Sequence, residues 1–206
     1  MADELRELRS VIEKLETPAR FRHTLGVEKE VAALGAYLLP DSVDKLRIAA
    51  LLHDVTKEWS HDEQFRVCRA EGIPLTDELI ASPQVLHGLT AVKWIQENLP
   101  AYADAEVLHA ISVHTTGDAD MSVFDEILFV ADYTEEGRVY PACQAMRQKL
   151  WTGMRQTDRP EEFLTEMVYA VLGDTVAYLN RKQKPIVSQT LVAYRAYEEK
   201  LARQKG

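Results

Sequence analysis

The sequence predicts an all-α fold, a single compact helical bundle. Two observations carry this. Apolar residues recur at helical spacing through nearly the whole chain. The segments that carry them are bounded by Ser, Thr and Asp caps, by glycines and by prolines. A third observation is negative: no pair of alternating segments is joined by turn residues, and there is no repeat, low-complexity run or linker.

Taken in order, Leu5, Leu8, Ile12 and Leu15 predict a first amphipathic helix. Thr17-Pro18 restarts the chain, with Thr as a cap and Pro in the first turn. Phe21, Val27, Val31, Leu34 and Leu38 line the second helix, which Pro40-Asp41-Ser42 breaks. A third helix is expected over about 43–57. Ser60 with Glu63 forms a capping-box pattern for a short helix that Gly72 ends. Residues 73–85 read as a loop with one helical turn near Asp77–Ile80. A helix from about Leu86 stops before Pro100, and Asp104 caps the next. Gly117-Asp118-Ala119-Asp120 is a turn, and Ser122 with Asp125 starts a helix carrying Phe124, Ile127, Leu128 and Ala131. Pro141 opens a helix that Gly153 is expected to end. A long helix over about 161–183 follows, then the Lys184-Pro185-Ile186 break and a closing helix over 188–203.

The chain has 206 residues, 46% of them hydrophobic and 28% charged, which suits one domain with a sizeable core. A net charge of −9 argues against nucleic acid as a partner, because phosphate backbones are held by basic surfaces. Two cysteines with no CxxC suggest neither a disulfide framework nor a thiolate zinc site. The charged start lacks a secretory h-region, and no apolar run approaches the ~18 residues of a membrane span. A soluble cytoplasmic protein with no membrane contact is the expectation.

The residues that carry chemistry are His23, His53, Asp54, His87, His114 and Asp132. His53-Asp54 ends the apolar run Ala49-Ala50-Leu51-Leu52, and a buried carboxylate is costly unless paired or metal-bound. His23 shares the face of Val27 and Val31, and Asp132 follows Leu128 by one turn. Any one such histidine is more often a hydrogen-bonded core residue, and Asp132 alone reads equally as a cap or salt-bridge partner. Together, four histidines and two carboxylates match a nitrogen- and oxygen-rich metal site. His61 lies in a polar stretch and reads as surface. His109, about 140° around the helix from His114, points elsewhere. HExxH, GxxxxGK[ST], GxSxG and GxGxxG are absent.

The order His, His-Asp, His, His, Asp resembles the signature of the HD-domain phosphohydrolases. The segments Arg20–Val27, Leu51–Lys57, Leu86-His87-Gly88, Val113–Gly117 and Phe129–Tyr133 are more specific and resemble the YqeK family, as do Glu136-Gly137-Arg138 and Lys184-Pro185-Ile186. The resemblance runs from about Thr17 to Ala193, leaving residues 1–16 as a variable N-terminal helix before an HD domain over 17–206. The family often has proline where Glu136 stands and histidine where Val187 stands, which bears on loop shape and base contacts rather than on the metal centre.

The resemblance implies symmetrical hydrolysis of diadenosine tetraphosphate to two ADP at a two-metal centre. Iron is the expected metal, divalent or trivalent, with manganese, zinc or nickel as alternatives. His23, His53, Asp54 and Asp132 would hold one ion and Asp54, His87 and His114 the other. Asp54 would bridge, with a hydroxide between the ions as nucleophile. Arg20, His23, Lys57, Thr115, Arg138 and Tyr178 are the expected substrate contacts, with Arg clamping phosphate bidentately. Lys57 is also a candidate to protonate the leaving group, and Tyr178 to stack on adenine. Relatives in the family are often homodimers. The competing readings are an HD phosphohydrolase of another nucleotide, an HD-type di-iron oxygenase and a non-catalytic nucleotide-binding protein.

Overall fold

The computed structural model describes residues 2–204, and among these the chain is all helix and connection. The α-helices are α1 (Ala2–Ile12), α2 (Pro18–Leu38), α3 (Val43–Leu52), α4 (His61–Ala70), α5 (Asp77–Ala81), α6 (His87–Asn98), α7 (Ala105–Val113), α8 (Val123–Thr134), α9 (Pro141–Met154), α10 (Pro160–Arg181) and α11 (Ser188–Gln204). Three short 3-10 turns, Pro40–Ser42, Pro83–Val85 and Pro100–Tyr102, each open on a proline. Proline suits a first turn, where its missing N–H has no partner to lose. No described helix is long and apolar enough to cross a membrane.

The caps form as the sequence predicts. Thr17, Ser60, Asp104 and Ser122 each accept a backbone N–H at a helix start, and Ser60–Glu63 and Ser122–Asp125 are complete capping boxes. Such caps are worth ~1 kcal/mol each.

Helix α8 is the central element. It is buried on nearly every side from Phe124 to Ala131, Asp125 and Glu126 included. It packs on α2, α7, α9 and α10, while α2 pairs closely with α3 and α10 with α11. Val27, Val31 and Leu34 of α2, Leu46 and Leu51 of α3, and Ile127 and Val130 of α8 are fully buried in one core. Burying each such side chain stabilises the fold by ~1.5–3 kcal/mol. Leu5, Leu8 and Ile12 of α1 join the same core. A clamp ties α1 to α2 and α3: Arg9 donates to both Glu28 carboxylate oxygens at 2.7 and 2.5 Å, and Arg47 Nε adds a bond at 3.1 Å.

Three boundaries differ from the sequence reading. The first helix stops at Ile12, so Leu15 is exposed rather than buried. The third ends at Leu52, not Lys57. The chain beyond it tightens into i→i+3 turns, with Val55 N–H bonding Leu52 O and Lys57 N–H bonding Asp54 O. Gly153 lies within α9, which ends one residue on at Met154, and its missing Cβ leaves the space that the Phe163 ring of α10 fills.

The core also holds a carboxyl away from the main cluster of site residues. Glu126 is 4% exposed and accepts from Tyr197 Oη at 2.6 Å, joining α8 to α11. Burial pushes its pKa up to about 7, against the smaller opposing effects of Tyr197, Lys200 and Thr165. Between its ordinary value of about 4.5 and about 7, the folded chain keeps a proton that the unfolded chain has lost, so stability falls as pH rises. Glu126→Gln retains an acceptor for Tyr197 without the charge. Its thermal midpoint is expected to gain on the wild type at pH 8 relative to pH 5; the same gap at both pH values contradicts this.

Candidate metal centre

The ligand-type residues come from five elements and meet where helices end. His23 lies in the second turn of α2, and Asp132 in the last turn of α8. His53 and Asp54 follow the last residue of α3, His87 is the first residue of α6, and His114 caps the C-terminus of α7. Ending α3 at Leu52 turns Asp54 inward on a 3-10-type turn instead of a continuing helical face. The adjacent Thr56 fixes that turn to α6, donating its hydroxyl to His87 O at 2.9 Å. Gln64 holds it from α4 by donating to Thr56 O at 2.8 Å. Gly88 lets α6 approach α7, since a Cβ there would lie 2.8 Å from Ile111 O and 3.6 Å from His114 Nδ1.

Asp54 is the centre of the cluster and is 3% exposed. Its two oxygens face different partners. Oδ2 lies 2.7 Å from Arg20 Nη1, 3.4 Å from His53 Nε2 and 3.7 Å from His23 Nε2. Oδ1 lies 3.1 Å from His87 Nε2 and 3.6 Å from His114 Nε2. Asp132 Oδ1 stands 2.9 Å from His23 Nε2, 3.8 Å from His53 Nε2 and 2.6 Å from Arg138 Nη2. Asp132 is about one-fifth exposed at 21%, because it opens onto a small cavity.

All four histidine rings are held the same way. Nδ1 of His53, His87 and His114 sits 2.7, 2.8 and 2.6 Å from the carbonyl oxygens of Ala50, Gln84 and Ile111. Nδ1 of His23 sits 3.1 Å from Glu135 Oε1. These carbonyl and carboxylate oxygens only accept, so Nδ1 carries the proton and Nε2 presents its lone pair inward when the ring is neutral; Lys57 Nζ lies 3.2 Å from both ring nitrogens of His87. The rings pack edge to face, with centroids 5.0 Å apart for His53–His114 and 4.8 Å for His87–His114.

This arrangement fits metal. His23 Nε2, His53 Nε2 and Asp54 Oδ1 are buried without a hydrogen-bond partner. His23 Nε2 lies close to Asp132 but out of hydrogen-bond alignment. His87 Nε2 and His114 Nε2, both aimed inward, are only 2.9 Å apart. Such atoms are costly to bury unless a shared cation takes their lone pairs. Two groups have ligand atoms close enough for one ion: His23, His53 and Asp54, and Asp54, His87 and His114. Imidazole and carboxylate donors together suit iron, manganese, zinc or nickel.

The pKa shifts agree with a charged core. Burial would raise both aspartates. For Asp54, His53, His114 and His87 outweigh it; for Asp132, Arg138 and His23 do. Both carboxyls are held well below the usual range. Burial lowers His87 to about 4, with Lys57 adding to the effect, so its ring is neutral at pH 7. For His23, Asp132 and Glu135 overcome burial and bring the pKa up to about 9, so a metal there displaces a proton.

The structure brings most of the expected substrate contacts to the same place. Lys57 Nζ is 3.2 Å from His87 Nε2, and burial lowers its pKa. Thr115 Oγ1 is 3.1 Å from both His87 Nε2 and His114 Nε2. Arg20 and Arg138 each engage a carboxylate of the cluster. A pocket of about 150 Å³ lined by Lys57, His114, Thr115 and Asp132 opens here. It shares Thr115, Tyr133 and Thr175 with a larger cavity of about 650 Å³. Tyr178, 42% exposed, is not at the cluster but on the wall of that cavity, with Tyr140, Pro185 and Val187. His61 is exposed at the start of α4, and His109, about half exposed, pairs with Asp125 at 3.0 Å.

Sequence reasoning missed Glu135, which orients His23, and the Tyr133–Asp174 pair, whose hydroxyl donates to the carboxylate inside the large cavity. An acidic residue three positions after Asp132 was the available signal for Glu135. Nothing local marked Asp174, which comes from α10.

An all-α protein with a buried histidine–aspartate cluster at converging helix ends is the class that fold and site define. The HD domain family model matches residues 20–137, and the chain belongs to that family. The symmetrical bis(5'-nucleosyl)-tetraphosphatase of Halalkalibacterium halodurans is 31% identical over 86% of this chain and 88% of its own length. Its Bacillus subtilis counterpart is 27% identical over 86% and 89%. A crystal structure from Clostridium acetobutylicum, described as that of a predicted HD superfamily hydrolase involved in NAD metabolism, superposes with a TM-score of 0.82 at 25% identity. It covers 95% of this chain and 97% of that one.

Asp54 belongs to both ligand groups, so Asp54→Ala is expected to deplete both, whereas His53→Ala depletes one. His61→Ala leaves the metal content unchanged. Elemental analysis of metal per chain checks this, and equal losses for Asp54→Ala and His53→Ala contradict a shared carboxylate.

Proposed function

We propose that this chain hydrolyses diadenosine tetraphosphate symmetrically, giving two ADP, at a centre of two metal ions. The observation that carries the reading is the division of Asp54, with Oδ2 toward His23 and His53 and Oδ1 toward His87 and His114. That is the arrangement a carboxylate shared by two ions requires. The names of the curated relatives support the substrate.

In this reading His23, His53, Asp54 and Asp132 hold one ion, and Asp54, His87 and His114 the other, with iron as the metal. When bound, two such ions supply a water that is nucleophilic at neutral pH and positive charge for phosphoryl oxygens. The protein does the rest. Arg20 and Arg138 are each anchored on a ligand carboxylate, which directs their guanidinium groups to the phosphate chain. Lys57, whose pKa burial lowers and whose Nζ lies 3.2 Å from His87 Nε2, is the group that passes a proton to the leaving ADP oxygen in this reading. The Thr115 hydroxyl positions a phosphate, and Tyr178 stacks on adenine at the wall of the larger cavity. The functional unit is 17–206, with 1–16 as an appended helix. The reading carries with it a cytoplasmic homodimer that binds no nucleic acid.

A second reading is hydrolysis of another nucleotide at the same centre, favoured by the NAD-metabolism description of the Clostridium acetobutylicum structure. Product analysis on a nucleotide panel separates the two. With diadenosine tetraphosphate, ADP alone is expected. Equal ATP and AMP reject the proposed point of attack, and no turnover on this substrate with turnover on another favours the second reading.

A further inference from the structure

Arg147 of α9 touches none of the six ligand-type residues, yet it is bonded to the loop that arranges two of them. Its Nε donates to Thr134 O at 2.5 Å, and its Nη2 donates to Glu135 O and, at 3.1 Å, to Arg138 O. Three carbonyls of one short loop, residues 134–138, thus converge on a single guanidinium. They include carbonyls left without an intrahelical partner at the C-terminus of α8. The planar fork of arginine suits such a cluster, and a lysine ammonium does not reproduce it.

Two side chains of that loop reach into the metal centre. Glu135 accepts at His23 Nδ1, and Arg138 binds Asp132 through both Nε to the carbonyl and Nη2 to Oδ1. Glu135 is 2% exposed and fits against α2 only because residue 26 is glycine: a Cβ there would lie 2.2 Å from Glu135 Oε2. The loop therefore has little tolerance for displacement. The same helix braces the loop a second time, where Trp151 Nε1 donates at 2.9 Å to Glu30, which also accepts from Thr134 Oγ1 at 3.2 Å.

We infer that Arg147 is a positioning residue of the metal centre, setting His23 and Asp132 through the loop that carries Glu135 and Arg138. The inference rests on the proposed roles of His23 and Asp132 as metal ligands. It does not depend on which nucleotide is hydrolysed. Partners that orient a ligand typically contribute ~10–100-fold to metal affinity or activity.

The test is a manganese titration of the metal-stripped full-length protein, with thermal midpoints recorded alongside. Wild type is compared with Arg147→Lys, Arg147→Met, Glu135→Gln and the double variant Arg147→Lys/Glu135→Gln. Arg195→Met, an exposed arginine on α11, is the control. Arg147→Lys is expected to weaken manganese binding about tenfold and to lower kcat. Because both changes act through one loop, the double variant is expected to lose less than the product of the two single losses. Wild-type manganese affinity in Arg147→Lys overturns the inference, as does strict multiplicativity in the double variant. If Arg147→Met does not fold, Arg147→Lys and the double variant decide. Loss of manganese binding with no hydrolysis of diadenosine tetraphosphate by the wild type would reject the proposed substrate and leave the role of Arg147 standing.

Discussion

The structure depends on keeping one carboxylate charged where water barely reaches it. Removing an ion from water costs several kcal/mol even after relaxation, and a carboxylate survives burial only with matched partners. Asp54 meets part of that demand with the Arg20 guanidinium at 2.7 Å, and its oxygens are set among four imidazole Nε2 atoms from α2, α6 and the ends of α3 and α7, a donor set that a metal would share with it. Helix ends supply this more readily than helix middles. Their free carbonyls orient the ring Nδ1 atoms, and the chain is free to turn its next side chain inward. That is why α3 stops at Leu52 and why three of the four histidines sit at or just beyond a helix terminus.

Stability and function pull against one another here. Inward-facing Nε2 atoms, two carboxylates and three cations in one buried region contribute nothing to a hydrophobic core. The surrounding core offsets them, through α8 buried on all sides and α2 and α3 packed against it. The unpartnered His23 Nε2, His53 Nε2 and Asp54 Oδ1 are costly as they stand, and a cation that took their lone pairs would offset that cost. The loop after α8 belongs to the same design. Its backbone is held from α9, so that its side chains can hold the centre.

Much of this was legible in the sequence. The helical class followed from apolar spacing, because an amphipathic face leaves a period of 3.6 residues. Most helix starts followed from local cap chemistry at Thr17, Ser60, Asp104 and Ser122. The six ligand-type residues were legible by kind: imidazoles and carboxylates set among apolar neighbours are out of place unless something pairs with them. Helix ends were less legible. Leu15 and the stretch 53–57 continue an acceptable helical pattern, and only packing shows that the first is excluded from the core and the second is needed as a turn. Gly153 carries the local signature of a helix stop, but the ring of Phe163 claims the space its missing Cβ leaves.

The sequence by itself therefore determined the helical class, the caps and the inventory of ligand-type residues, because propensity, capping and burial preference act over a few residues. Only the tertiary structure decided how Asp54 divides its two oxygens between two sets of histidines, and that Glu135 orients His23. It also decided that Asp174 meets Tyr133 in a cavity beside the centre. Adjacent His53 and Asp54 apart, these are meetings between residues about 30 to more than 100 positions apart. Their geometry is set by how whole helices pack, which no local pattern encodes.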